Sequence, residues 1–148
     1  MSILQKNVFI WIIKRFVKLT KRKVLAVQEN SGKTVSTGRK KISPQYGVLV
    51  TNELFHNGNV EAWKKIITSY HLKYPDLKVL VFYDGEQILD LNSLFKWGKV
   101  KHGTNIYFSV MGTEFKDISK LRRYLEQGAS HRFEAFLKGD PTKNLVLF

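Results

Sequence analysis

The stretch "LKVLVFYDGEQILDL", residues 77–91, decides the fold. Its halves are rich in β-branched and aromatic residues. Between them stands Asp84-Gly85, a dipeptide that accepts the positive φ angles of a two-residue hairpin turn. Two antiparallel strands are therefore expected here, and they need a further strand and a cover. "NIYFSVM" (105–111) supplies the strand: Ile106, Phe108 and Val110 alternate with Tyr107, Ser109 and Met111, the pattern of a half-buried strand. "YGVLVT" (46–51) reads as another.

The cover comes from two helical patterns. Val60, Trp63, Ile67, Tyr70 and Tyr74 recur at spacings of 3 and 4, one apolar face of a helix that starts near residue 58 and that Pro75 ends. A second helix is expected to open at Gly112-Thr113-Glu114, with Thr113 as N-cap, Phe115, Ile118, Leu121 and Leu125 inward, and Gly128 as its stop. "SLFKWGKV" (93–100) suits a short helix. The order β-α-β-β-(short α)-β-α predicts an α+β open-faced sandwich, a four-stranded, mostly antiparallel sheet with the helices on one face.

The charge is unevenly placed. The chain carries a net +13, yet residues 1–41 hold eleven Lys/Arg against one acid, Glu29, a net of +10. Residues 5–23, "QKNVFIWIIKRFVKLTKRK", align Phe9, Ile12, Ile13, Phe16 and Leu19 on one helical face, with Lys14, Lys18, Lys21 and Arg22 off it. That composition fits an interfacial helix on an anionic membrane, and equally a helix packed on its own domain or a partner. The unbroken apolar run from Val8 to Ile13 is too short to span a bilayer, and most charges follow it, unlike a secretion signal. Residues 29–43 read as a linker. The expected organisation is a basic arm at 1–43, a domain at 44–131, and an extension at 132–148 whose last four residues are apolar and dock on the domain or a partner.

No cysteine is present, which excludes disulfides and thiolate zinc sites and fits a reducing, cytoplasmic compartment. His56, His71, His102 and His131 lack metal-ligand spacing, so neither a metal nor a cofactor is expected.

The run "YDGEQILDLNSLFKWGKVKHGTNIYFSVMGTEFKDISKLRRYLEQG" (83–128), with a histidine at the first strand-to-helix junction, resembles HPr, the histidine-containing phosphocarrier of the sugar phosphotransferase system. The resemblance covers roughly residues 46–128. It implies an HPr-like sandwich, a phosphoryl carrier rather than a turnover enzyme, and phosphotransferase-system proteins as partners. It makes His56 in "VTNELFHNGNVEAW" the phosphoryl acceptor, Asn57, Gly58 and Asn59 the phosphate-binding turn, and Ser93 a regulatory phosphorylation site. The family's usual Leu-Gly-hydrophobic-His-Ala-Arg-Pro-Ala segment is not reproduced, because no alignment restores its Arg-Pro pair.

Read as chemistry alone, an imidazole nitrogen is a competent nucleophile, and a helix start offers unpaired N–H groups and the positive end of the dipole to a dianion. "HNGN" is also an ordinary polar turn, and Ser93 an ordinary helix cap. Lys96, Lys99, Lys101 and His102 around Trp97 form a basic-aromatic cluster that can face a phosphate or solvent. Two further functions stay open: a non-catalytic module on the same fold, held by its arm to an assembly or the inner membrane face, and a nucleic-acid-binding protein. The last rests on the +10 arm; beyond an exposed Tyr83 and Tyr107, the chain lacks the interleaved aromatics of an RNA-reading sheet.

Overall fold

The structure, a computed structural model, describes residues 38–94 and 99–148. The amphipathic segment 5–23 and the centre of the basic-aromatic cluster (Lys96, Trp97) lie outside those residues. Arg39–Phe148 forms one compact unit.

Five strands make one antiparallel sheet: β1 (Lys41–Ile42), β2 (Tyr46–Leu49), β3 (Lys78–Tyr83), β4 (Glu86–Ile88) and β5 (Asn105–Gly112). Strand β5 is central, with β3 and then β4 on one side and both β1 and β2 on the other. The first two are halves of one edge strand. Ile42 pairs with Met111 and Tyr46 with Phe108, so one extra residue on the edge side forms a bulge at Ser43-Pro44-Gln45. Ser43 keeps the ladder going: its N–H donates to the Val110 carbonyl at 2.8 Å, and its Oγ accepts from the Val110 N–H at 2.8 Å. Residues 41–43 thus belong to the sheet rather than to a linker. The expected hairpin is present, with Asp84 and Gly85 both at positive φ (53° and 77°) and Tyr83 paired with Glu86.

Helix α1 (Asn57–Lys73) and helix α2 (Ile118–Gly128) cover one face of this sheet. The architecture is an α+β open-faced sandwich. Its core joins Val60, Trp63, Ile66 and Tyr70 of α1 to Leu121 and Leu125 of α2, over Val48, Val81, Ile106, Phe108 and Val110 of the sheet. Trp63 has no exposed surface, lies edge-on to Phe55, and donates its indole N–H to the Leu125 carbonyl at 3.1 Å.

Two local expectations are corrected, the start of α2 and the side on which Tyr83 lies. Helix α2 begins at Ile118 rather than at Thr113-Glu114; Asp117, in the left-handed region at φ 52°, is its N-cap, and Phe115 is exposed. The intervening loop is tied to the end of α1 instead, Tyr70 Oη donating to the Lys116 carbonyl at 2.6 Å and Tyr74 Oη bonding the Asp117 carboxylate. Tyr83 is buried and faces the helices. Residues 132–148 are part of the compact unit: a 3₁₀ turn at His131–Phe136 buries Phe136, and Phe148 meets the rings of Tyr70 and Tyr124. The apolar end therefore docks on the domain, with Leu147 N–H donating to Ser69 Oγ at 3.0 Å.

Replacing Trp63 by Ala is expected to cost about 3–5 kcal/mol, the range for truncating a fully buried large aromatic, read as a shift in a denaturation midpoint. His71 generates a pH dependence. Its Nε2 accepts the Val79 N–H at 3.1 Å, and burial, helped by nearby Lys78, lowers its pKa below the ordinary 6.5. The unfolded chain therefore binds the proton first. Stability is complete above pH 6.5, falls as the pH drops through that value, and levels off below the folded pKa. Urea midpoints between pH about 7.5 and about 5 check this, and His71→Gln is expected to flatten that part of the slope.

Candidate functional site

The turn that starts α1 is built from two distant pieces of chain, residues 50–59 and 128–133. The backbone joins them first: the N–H groups of Thr51 and Asn52 both donate to the Ala129 carbonyl, at 3.2 and 3.1 Å. Asn59 then locks the junction. It has no exposed surface, and its Nδ2 donates to the carbonyls of Gly128 (2.9 Å) and Ser130 (3.3 Å). Its Oδ1 accepts from Asn52 Nδ2 at 3.0 Å and from the His56 N–H at 3.2 Å. With two donors and two acceptor positions used, this amide has nothing left for a ligand.

His56 is exposed and is the N-cap of α1, with extended backbone. Its Nδ1 accepts the Gly58 N–H at 2.9 Å, so that nitrogen carries a lone pair and the ring does the work usually done by Ser or Asp at this position. The other face of the imidazole meets Phe133 edge-on, ring centres 4.8 Å apart. Phe133 also lies over the helix start, where a Cβ on Gly58 would come within 2.5 Å of its ring. The two open N–H positions that an anion would seek are thus partly occupied, one by His56 and one side by an aromatic ring.

The structure treats the expected site residues differently. His56, Asn57 and Gly58 do stand together at the helix start, with Asn57 exposed. Asn59 does not contribute its side chain to a phosphate turn, because the interhelical bonds consume it. Ser93 stands apart, inside a 3₁₀ turn at Leu91–Leu94, where its Oγ donates to the Asp90 carbonyl at 2.7 Å. It does not cap that turn; Asp90 does, its carboxylate accepting the Asn92 N–H at 3.0 Å. Lys99 points to Glu86 at 3.7 Å rather than to His56. Lys101 and His102 do reach the loop, through a bridge between Lys101 and Leu54 and a 3.3 Å contact between His102 Nδ1 and the Asn52 carbonyl. Asn52, Ala129, Ser130 and Phe133 are site residues that no local motif announces, since each acts across about 70 residues of chain. Among the described residues no cluster of His, Asp and Glu is arranged to hold a metal.

Fold and site together define a small α+β sandwich whose helix-start turn is closed by its own side chains. Residues 40–135 match the family described as the uncharacterised Treponema protein C-terminal domain, and the chain belongs to that family. An uncharacterised protein of Treponema pallidum (strain Nichols) is 60% identical over 113 residues, which cover 76% of this chain and 33% of that protein. The chain thus spans about a third of the relative's length. No solved structure matches it.

Asn59→Ala leaves the buried Gly128 carbonyl without its side-chain donor and removes the clasp, so it is expected to cost about 2–4 kcal/mol. His56→Ala removes only a cap and is expected to cost about 0.5–2 kcal/mol. Paired denaturation curves check the order, Asn59 above His56.

Proposed function

We propose that this chain is an HPr-like binding module that recognises a macromolecular partner and does not pass phosphoryl groups. The observation that carries this is the inward use of the His56 turn. Nδ1 is spent on capping, the Asn59 amide on joining the helices, and Phe133 covers Gly58. A phosphoryl carrier needs that same turn open to a donor and lined with charge for a dianion. Neither hydrogen bonds nor ring contacts bring a Lys or Arg side chain to the imidazole among the described residues. The observed element order, β-α-β-β-turn-β-α, supports the HPr-like part. The module part is supported by kinship with a C-terminal domain and with a relative about three times as long as the matched segment.

One observation favours the carrier. An Nδ1 that accepts the Gly58 N–H is the unprotonated nitrogen, aimed at the positive end of α1, and an unprotonated imidazole nitrogen is the form that attacks a phosphoryl donor. The experiment separates the two. The chain is incubated with phosphoenolpyruvate and the general phosphotransferase enzyme, then assayed for acid-labile phosphohistidine. The expected outcome is no label on the wild type. Label that forms on the wild type and disappears in His56→Ala would replace the module by the carrier.

A further inference from the structure

Among the described residues, no helix covers the other face of the sheet. By strand register, Ile42, Gly47, Leu49, Lys78, Leu80, Phe82, Gln87, Asn105, Tyr107, Ser109 and Met111 point to that side. Two aromatic rings stand at its centre, where Phe82 of β3 pairs directly with Tyr107 of β5. Tyr107 is 39% exposed and Phe82 is half-buried. Gly47 lies on the far side of Tyr107, and a Cβ there would stand 3.4 Å from the Tyr107 ring and 3.6 Å from Asn105 Oδ1. The edge of the Tyr107 ring thus sits against the Gly47 backbone of β2, with the Asn105 amide beside it. An exposed ring next to a hydrogen-bonding amide is an arrangement that can stack a planar base and read its edge.

The charge on this face has one sign. Among its register positions Lys78 is the charged residue, and it stands opposite Met111 at one end. At that same end the chain enters the sheet through Arg39 and Lys40, both exposed, just before Ile42, whose side chain is on the open face by its pairing with Met111. Met111 lies four residue steps along β5 from Tyr107, about 13 Å, so a short polyanion can lie on both. The whole chain, at net +13, attracts polyanions.

We propose that this open face binds single-stranded nucleic acid, bases stacking on Tyr107 and Phe82 and the phosphate backbone running to Lys78 and to Arg39 and Lys40. The surface is separate from the His56 turn and stands whether or not that turn carries phosphate. Single strands are favoured over duplex because a flat platform reaches bases only when they are unpaired.

The test is fluorescence anisotropy of the full chain with a labelled oligouridylate of about 12 nucleotides. Phe82→Leu and Tyr107→Leu keep apolar bulk but remove stacking, and each is expected to weaken binding between about fivefold and a hundredfold. Tyr107→Phe is expected to bind like the wild type. Lys78→Gln is expected to lower the slope of log affinity against log salt by about 0.7. Ultraviolet crosslinking of the wild type, mapped by mass spectrometry, gives a readout that needs no variant; crosslinks are expected on the peptides holding Phe82 and Tyr107. Leucine variants that fold and bind undiminished would overturn the proposal, as would crosslinks confined to residues 1–37. It also falls if Tyr107→Leu converts a dimer to a monomer in sedimentation while oligonucleotide affinity is unchanged, for the face would then be a contact between copies.

Discussion

One side-chain amide fixes how the two helices meet. Apolar packing between α1 and α2 is strong but non-directional, and alone it would allow neighbouring registers. The Asn59 amide, wholly buried, admits only one, because its hydrogen bonds end on the backbone of Gly128 and Ser130 at the end of α2 and on the His56 N–H and the Asn52 amide before α1. Buried and fully satisfied, such a group is costly to misplace and therefore specifies a unique arrangement. The rest follows from it. His56 is held at the cap position, the 128–133 segment is drawn against the helix start, and Phe133 arrives over Gly58.

Most of the fold was legible in the chain. The Asp84-Gly85 turn, the alternation in β5 and the Val60–Tyr74 stripe are local patterns, each enforced by short-range geometry. What local pattern could not convey is competition from distant partners. Thr113 and Glu114 have the chemistry of a helix start, but Tyr70 and Tyr74 tie the following loop to the end of α1, and the helix waits until Ile118. Tyr83 and Phe82 are adjacent, and a strand puts one in and one out; only the pairing with β4 and β5 shows which. The site was legible by half. Its histidine and turn could be placed from chain position, whereas the saturation of Asn59 and the lid of Phe133 depend on contacts that span the domain.

The two sides of the molecule divide the chemistry. On the helix side, polar groups at the His56 turn satisfy one another and leave little that a small anion can claim. On the sheet side, aromatic and aliphatic groups stay partly in water, a cost that a monomer carries when the surface has a use. The basic residues beside that surface lie where the chain enters the edge strand, so the excess charge of the arm begins at its margin.

The bulge at Ser43-Pro44-Gln45 has a consequence for the protein in a crowded solution. A sheet with one bare face and a long regular border is a template on which other strands can grow, the first step towards fibres. Here the border beside β5 is broken midway. Pro44 has no N–H to offer, and the extra residue bends the strand, while Ser43 turns its hydroxyl inward to Val110. No incoming strand can match a ladder that changes phase at its centre. The chain can thus keep a sticky face exposed without offering that border as a seed for its own polymerisation.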